Sequence, residues 1–402
     1  MKKQLLSILT AGCLMAAMVP AAFAADANDL QAQIDAAEAG STIKLNKNTT
    51  ITTPLNINKS ITLDGNGHTL TYTGTGYAIQ LNTNDAVTFD DLDLDATSSG
   101  GRGLEIVSNK PNFKLNDSLW NVNNRGIGFG SNGTVAGATV TIDSSIIQDS
   151  KKPENKTYEN WSDQADTRGI SLWNNKGLEL NIIDNSAILG FGYPINMAGD
   201  IVDGVRDMAD SVINITNSNI WGWCAMNIWT IDTTFNITNS NLKGFVETDN
   251  AWNSFATVVL NEGIYGNVTN ENKANVFNIS GGSVTSNCVS NNTQVYHCLF
   301  RLDKEFMSEF HFYADNDSMA PVELYCSSPF SAFLATYKGM EIPDFENWAK
   351  TKLTGAAENT IYNLGAIAPG VDAPTPEIFS SIQSADGITL ISGVGHEGGI
   401  NQ

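Results

Sequence analysis

The sequence predicts an all-β fold in which short strands stack in parallel as a solenoid, a parallel β-helix, with a short N-terminal capping helix and an irregular C-terminal cap. The first observation is an eleven-residue phrase, VINITNSNIWG at 212–222, which returns as TFNITNSNLKG at 234–244 and more loosely as VFNISGGSVTS at 276–286. The second is a strand-like phrase that separates successive copies, and the third is the Asn-, Gly- and Ser-rich composition of the bends between them. Strand-like repeats at periods of roughly 20–50 residues indicate a stacked solenoid.

One apolar position recurs before each polar tetrad of the repeat and marks one point per coil. Its occupants are Leu63, Phe89, Leu115, Ile142, Ile183, Ile215, Ile237 and Ile279. We expect these side chains to lie one above another, because equivalent strands of a coiled chain pair in parallel at about 4.8 Å. The recurrent Asn217/Asn239 and Ser218/Ser240 are expected at a bend, where stacked side-chain amides can hydrogen-bond along the column.

The second phrase of each repeat alternates apolar and polar residues, as in GYAIQL at 76–81, GRGLEIV at 101–107 and TRGISLW at 167–173. A period of two predicts a strand with one buried and one solvated face. A sandwich of hairpins would instead place two-residue Asn-Gly or Asp-Gly turns between neighbouring strands. The charged insertion at 150–166 is predicted to be an exposed loop.

The N-terminus has the layout of a secretory signal peptide. Lys2 and Lys3 precede an uncharged apolar run over 5–19, and Ala22–Ala24 offers a small-x-small cleavage site. The run is short and ends at Pro20, which favours a cleaved leader over a membrane anchor.

We therefore predict a secreted, extracellular or cell-surface protein, released by cleavage near Ala24, with no transmembrane segment in the mature chain. Asn28 and Gln31, followed by apolar residues at helical spacing, predict the capping helix. The predicted organisation is a signal peptide at 1–24, an N-terminal capping helix at 25–40, the parallel β-helix at 41–330, and a C-terminal cap with a partly ordered tail at 331–402.

The chain is strongly acidic, with a formal net charge of −21 that becomes −23 once Lys2 and Lys3 leave with the leader. Such a charge repels nucleic acid and anionic membranes, so we expect neither as a partner. Solubility alone accounts for this charge, and binding of cations along rows of carboxylates is the alternative.

Four cysteines follow the predicted leader: Cys224, Cys288, Cys298 and Cys326. An even count in an exported chain permits two disulfides with three possible connectivities. Free buried thiols are the alternative, since a core of this size needs no covalent links.

The segment DLQAQIDAAEAGSTIKLNKNTT, followed by INKSITLDGNGHTL, resembles the opening of secreted right-handed parallel β-helix proteins of the pectate-lyase-like superfamily. The likeness is specific over residues 29–70 and holds at the level of the repeats to about residue 315. It implies a right-handed coil whose first turn is capped by the leading helix. For activity it implies a polysaccharide lyase, a glycoside hydrolase, a phage tail spike or an adhesin, without choosing among them. The polygalacturonase and pectate lyase motifs of that superfamily are not met, so no catalytic residue is carried over.

The densest acidic stretch is DDLDLD, in which Asp91, Asp93 and Asp95 alternate and are predicted to share one strand face. With Glu105 they offer the oxygen ligands that Ca²⁺ prefers. In lyases of the superfamily that the chain resembles, calcium held by such carboxylates neutralises a uronate. A solvated acidic face is the alternative.

Arg102, Arg125 and Arg168 each precede a glycine and the first core aliphatic residue of their strands. The same slot in other repeats holds Tyr77, Tyr193, Cys224 and Cys298. Stacking predicts the three guanidinium groups at one height, about 5 Å apart. Like charges this close need carboxylate partners or an anionic ligand, and the sequence leaves both open.

Trp173 and Trp229 follow the last inward residue of their strands, so alternation directs their side chains outward. Exposed flat aromatic rings on a long regular face are suited to stacking on sugars. Burial beneath loops is the alternative.

These features predict a protein that binds carbohydrate, a polysaccharide or a surface glycan, or another surface ligand along an extended face made by the arginine column and the two tryptophans. The alternative is a polysaccharide lyase or glycoside hydrolase that acts on an acidic glycan through the aspartate row and the arginines. A third possibility is a passive adhesion scaffold without a binding pocket.

Overall fold

Each turn of the chain contributes one strand to each of three parallel sheets, in a repeating order, so the predicted right-handed parallel β-helix is confirmed. The structure, a computed structural model, describes residues 23–25, 30–98, 100–129, 135–150, 167–173, 175–198, 201–202, 205–206, 209–246, 255–260, 275–288, 297–302, 308–313, 322–326, 333–335, 353–354 and 388–392. Residues 1–22 of the predicted signal peptide and residues 151–166 of the predicted exposed loop lie outside these ranges. The sequence indicated at least two strands in each repeat, and the structure has three.

Sheet 1 contains twelve strands, numbered here with all others along the chain. They are β1 (Phe23–Ala25), β2 (Ser41–Leu45), β5 (Ile61–Asp64), β8 (Ala86–Asp90), β11 (Asn112–Asn116), β15 (Thr139–Asp143), β19 (Glu179–Ile183), β24 (Val212–Thr216), β27 (Thr234–Thr238), β30 (Val276–Ser280), β33 (Glu309–Tyr313) and β36 (Leu353–Thr354). Consecutive members pair in parallel.

Sheet 2 contains eleven strands and sheet 3 contains ten. Sheet 2 is formed by β3 (Thr49–Ile51), β6 (Thr69–Tyr72), β9 (Asp93–Ala96), β12 (Leu119–Val122), β16 (Ile146–Asp149), β20 (Ala187–Phe191), β25 (Asn219–Gly222), β28 (Asn241–Val246), β31 (Ser283–Cys288), β34 (Val322–Cys326) and β37 (Ile388–Ser392). Sheet 3 is formed by β4 (Leu55–Ile57), β7 (Gly76–Leu81), β10 (Gly101–Ile106), β13 (Arg125–Gly128), β17 (Arg168–Trp173), β21 (Tyr193–Ala198), β26 (Met226–Ile228), β29 (Phe255–Leu260), β32 (His297–Leu302) and β35 (Phe333–Ala335).

Two short pairs lie outside the three sheets. Strands β14 (Val135–Ala136) and β18 (Asn175–Lys176) pair in parallel, and β22 (Ile201–Val202) and β23 (Val205–Arg206) pair antiparallel.

The core is a set of aliphatic and aromatic columns that run along the coil. Leu63, Phe89 and Leu115 are register partners on successive strands of sheet 1, as the sequence predicted. The column then passes through Ile142 to Ile182. Assignment of Ile183 to this column is therefore wrong: β19 pairs one residue earlier, so Ile183 is the register partner of Asp143 and points outward, half-buried. A neighbouring column of sheet 1 contains Phe235, Phe277 and Phe310. Their rings stack nearly flat, with centroid separations of 4.4 and 4.8 Å.

The corner between sheets 1 and 2 explains the repeated phrase. Its first five residues form a strand of sheet 1, and Asn217 and Asn239 then adopt left-handed φ values of 50° and 47°, which Asn tolerates well. The serine that follows is buried and joins adjacent coils, because the hydroxyl of Ser240 accepts the Ser218 N–H at 3.0 Å and donates to the backbone carbonyl of Thr238. The predicted bend is confirmed.

Amide–amide hydrogen bonds run along sheet 1, three residues before the bend. Asn214 donates to Asn181 at 2.8 Å, and Asn236 donates to Asn214 at 2.9 Å. Asn278 continues the ladder by donating to Asn236. These polar ladders hold neighbouring coils in register on the outer face, while the apolar columns do so inside.

The first coil is covered by the predicted helix, α1 (Leu30–Ala36), which buries Leu30 and Ile34 against the core. The Gln31 side-chain amide pairs with both backbone groups of Asn56 in β4, at 2.7 and 3.1 Å, and so satisfies an edge strand of sheet 3. Asn28, its predicted capping partner, lies outside the described residues. Strand β1 contains the predicted cleavage site at Ala24 and pairs with β2.

At the other end, parallel pairing continues past residue 330. Strands β35, β36 and β37 each extend one of the three sheets, and β37 coincides with the strand that GITLISG at 387–393 suggested. Cys224 is buried, and its thiol donates to the Met226 carbonyl oxygen at 3.2 Å. Within the described ranges no helix has the length and apolarity needed to cross a membrane.

Candidate ligand-binding face

A column of glycines on sheet 3 turns the arginines outward. Gly103, Gly126 and Gly169 face the interior, where a Cβ on Gly126 would lie 2.6 Å from the Gly169 carbonyl oxygen and 2.6 Å from Ile147 Cγ2. No side chain fits there, and the residue before each glycine therefore points to the opposite side. The Arg-Gly pairs of the sequence thus place arginines on the outer face of sheet 3.

The three predicted arginines form one column. Arg125 and Arg168 are register partners, and the pairing of Leu104 with Ile127 places Arg102 next to Arg125 in the same register. Tyrosines occupy the column at both ends, because Arg102 pairs with Tyr77 and Arg168 pairs with Tyr193. The strands that carry neighbouring arginines are thus about 4.8 Å apart, one strand spacing.

Aromatic rings stabilise both ends of this arginine column. The Arg102 guanidinium carbon lies 5.4 Å from the centroid of Tyr77, and that of Arg168 lies 5.1 Å from the centroid of Tyr193. Trp223 packs edge-on against Tyr193, with 5.6 Å between centroids. Cation–π contacts of this kind contribute about 0.5–2 kcal/mol and partly offset the repulsion between stacked cations.

In the part of the chain that the structure describes, no carboxylate forms an ion pair with Arg102 or Arg125. Among the residues that the structure describes, neither Arg102 nor Arg125 forms an ion pair, and the Nε atom of each is buried without a hydrogen-bond partner. The nearest acidic residue along β10, Glu105, accepts a hydrogen bond from Gln80 at 2.7 Å. Of the two alternatives left by the sequence, carboxylate partners are therefore not found for Arg102 and Arg125 among the described residues.

A second glycine shapes the outer face beside Arg125. Gly128 pairs with Glu105 on this face, and a Cβ on Gly128 would lie 2.1 Å from the Tyr77 hydroxyl and 3.4 Å from Arg125 Cδ. The Tyr77 ring therefore extends across the neighbouring coil, and its hydroxyl lies in the space left by the missing side chain.

The predicted tryptophans lie at the other edge of sheet 3. Trp173 ends β17, is 39% exposed and pairs with Ala198. The backbone N–H of Trp229 donates to the backbone carbonyl of Met197, which places Trp229 next to Ala198 on the following coil. Two indoles thus flank a small residue in one column, and the outward direction predicted for Trp173 and half-buried Trp229 agrees with this arrangement.

Side-chain amides fix the orientation of Trp229. Its indole N–H donates to Asn227 Oδ1 at 2.9 Å, and Asn227 Nδ2 donates to Asn196 Oδ1 at 2.9 Å. Both asparagines occupy outward positions of sheet 3 yet are buried, so they position the indole and present little surface of their own.

The predicted aspartate row spans a corner and a strand. Asp91 is exposed at the corner after β8 with a φ of 47°, whereas Asp93 and Asp95 lie half-buried on β9. Asp93 accepts the Leu119 N–H at 2.9 Å, and Asp95 accepts both the N–H and the hydroxyl of Thr97.

Glu105 lies on sheet 3, away from this row on sheet 2. Across the described ranges, no three His, Cys, Asp or Glu side chains are close enough to hold a metal ion. The calcium prediction for Asp91, Asp93 and Asp95 therefore finds no supporting geometry.

Two lysines of the described surface, Lys44 and Lys243, have local partners. Lys44 contacts Asp64 at 2.6 Å, and the hydrogen bond from Lys44 to Asp64 raises the pKa of this lysine. On sheet 2 the Lys243 ammonium lies 5.1 Å from the Trp221 centroid, and burial lowers the pKa of Lys243. Unlike these lysines, Arg102 and Arg125 lie on adjacent strands of sheet 3 in the same register.

Sequence reasoning found the arginines and the tryptophans but missed the residues that organise them. Tyr77 and Tyr193 were visible as occupants of the arginine slot, which is the signal that could have identified them as stacking partners. Gly128 and Asn227 carry no comparable sequence signal, because their roles depend on which side chains reach them from neighbouring coils.

The fold and this face define a three-sheet parallel β-helix protein that presents a column of arginines and partly exposed aromatic rings on one sheet. No protein-family model, curated protein or solved structure matches the chain.

Proposed function

We propose that this chain is a secreted or cell-surface protein that binds carbohydrate along the outer face of sheet 3. The observation that carries the proposal is the Trp173–Ala198–Trp229 column, in which an exposed indole and an oriented indole flank a small residue. Pyranose rings have flat apolar faces, and aromatic rings with a fixed orientation bind such faces at low cost in conformational entropy.

The two ends of β17 extend this surface. Arg168 begins the strand and Trp173 ends it, so cationic and aromatic contacts lie roughly 16 Å apart on one face, at 3.3 Å per residue. This separation suits a chain of several sugars better than a single small molecule. The strongly acidic remainder of the protein favours a ligand whose negative charge is local to the arginines.

Replacing Trp173 with alanine is expected to weaken glycan retention about tenfold or more, because interface tryptophans often contribute about 2 kcal/mol or more. The measurement is binding of the purified wild-type and Trp173→Ala proteins to a glycan panel that includes pectin, alginate and glycosaminoglycans. The matched control is Val212→Ala, which removes the other large exposed apolar side chain of the described surface, on sheet 1.

Equal retention by both variants would remove sheet 3 as the contact surface. Release of unsaturated products, seen as rising ultraviolet absorbance with or without added Ca²⁺, would instead support the lyase alternative. Absence of both retention and turnover across the panel would favour the adhesion scaffold.

Export is tested separately. We expect the protein recovered from the culture supernatant or cell surface to begin at Ala25, because the small residues at Ala22 and Ala24 fit a signal-peptidase site. Intact mass and N-terminal sequencing measure this, and retention of residues 1–24 would contradict it.

A further inference from the structure

The stacked arginines and the tyrosine beside them present several hydrogen-bond donors to one place on sheet 3. Arg102 and Arg125 lie on adjacent strands in register, about 4.8 Å apart. The Tyr77 hydroxyl lies over Gly128, where the stem of Arg125 also passes. Two forked cations and one neutral hydroxyl thus meet at the surface of three consecutive coils.

Within the described structure, the charge of these two arginines is not matched by an ion pair. Arg102 and Arg125 have no carboxylate partner there, and Glu105 on the neighbouring column is hydrogen-bonded to Gln80. Stacking of Arg102 on Tyr77 holds the guanidinium plane in place without neutralising it. The arrangement is pre-organised for an anion.

The geometry distinguishes between kinds of anion. A carboxylate is planar, so when it accepts two hydrogen bonds from the fork of one guanidinium, its remaining lone pairs lie in that same plane and are poorly directed toward an arginine on the next coil. A sulfate or phosphate group points its oxygens in several directions, so it can engage one arginine with two oxygens and reach the next coil with a third.

We infer that Arg102 and Arg125, with the Tyr77 hydroxyl, bind a tetrahedral oxyanion, a sulfate or phosphate group carried by the ligand. The inference names the ligand class within the proposed carbohydrate-binding face and rests on that function for its biological role. Its physical content, binding of a tetrahedral anion at this pair, is testable without any glycan.

The test titrates the purified wild-type protein with inorganic sulfate, inorganic phosphate and acetate at constant ionic strength, with calorimetry as the readout. We expect saturable one-site binding of sulfate or phosphate and at least tenfold weaker binding of acetate. Comparison of the sulfate and phosphate arms identifies which group the site prefers.

Variants locate the binding. Arg125→Gln is expected to raise the dissociation constant for the preferred anion at least tenfold, and Arg125→Lys to raise it as well, because a lysine keeps the charge but loses the fork. The matched control is Lys110→Gln, which removes one positive charge from an exposed position between sheets 3 and 1. Arg102→Gln tests the same site if Arg125→Gln fails to fold.

Equal losses in Arg125→Gln and Lys110→Gln would overturn the inference, because the effect would then be general attraction of anions. Acetate binding as tight as sulfate and phosphate binding would overturn the tetrahedral preference. The two proposals separate in Trp173→Ala, which is expected to lose glycan retention while keeping the anion dissociation constant within twofold of wild type.

Discussion

Replacing Trp120 with alanine is expected to lower the free energy of unfolding by about 3–5 kcal/mol, the usual range for a buried tryptophan. Trp120 is fully buried on sheet 2, packs edge-on against Phe89 with 5.7 Å between centroids, and donates its indole N–H to the Leu92 carbonyl at 3.0 Å. Its ring also lies over Gly103 on sheet 3, so the substitution opens a cavity between two sheets and leaves a carbonyl without its donor. Chemical denaturation followed by circular dichroism measures the loss.

The matched control is Trp173→Ala, which removes the same side chain from an exposed position. We expect that variant to stay within about 0.5 kcal/mol of wild type, since surface substitutions away from special features rarely exceed this value. Similar losses in the two variants would contradict the burial assigned to Trp120. A solenoid can also unfold in parts, so loss of cooperativity around Trp120 alone would appear as a separate early transition.

The fold could be predicted from the sequence because the repeat carries two independent signals of it, one within each strand and one between successive coils. Within each strand, apolar and polar residues alternate, and this period of two directs the apolar side chains inward. The recurrence of the repeated sequence identifies which residues lie one above another on successive coils. Leu63, Phe89 and Leu115 were placed correctly on this basis. The error at Ile183 arose because NIID contains two adjacent isoleucines, and only the backbone pairing of β19 decides which one faces inward.

The candidate site was less predictable, for a physical reason that Asp91 illustrates. A period of two holds only within a strand, and the left-handed residue at the corner resets it. Asp91 occupies that corner and precedes β9, so the alternation of the three aspartates in the sequence did not place all of them on one strand. Contacts such as that of Tyr77 with Gly128 span two coils, and their existence depends on side-chain reach, which the repeat does not encode.

Fold and site meet in the glycine column of sheet 3. Each inward glycine allows close approach of the next coil and at the same time directs an arginine outward. A single change at one of these glycines is therefore expected to affect stability and anion binding together, whereas a change at Trp173 affects binding alone.

Gly126→Ala is expected to lower the free energy of unfolding by about 1–3 kcal/mol, the usual range for overpacking a core. The added methyl group would lie 2.6 Å from both the Gly169 carbonyl oxygen and Ile147 Cγ2, so the coil must move, and Arg125 moves with it. We expect the same variant to bind sulfate more weakly than wild type. Denaturation midpoints and anion titration measure the two effects.

The reverse substitution in the same column is the control. The pairing of Tyr77 with Arg102 places Ala78 beside Gly103, and Ala78 is buried with room for its methyl group. Ala78→Gly is expected to cost about 0.5–1 kcal/mol through backbone entropy in a strand and to leave Arg125 in place. If Gly126→Ala keeps the denaturation midpoint and the sulfate affinity of the wild-type protein, close packing of the coils does not require glycine at position 126. The outward direction of the arginines would then need another explanation.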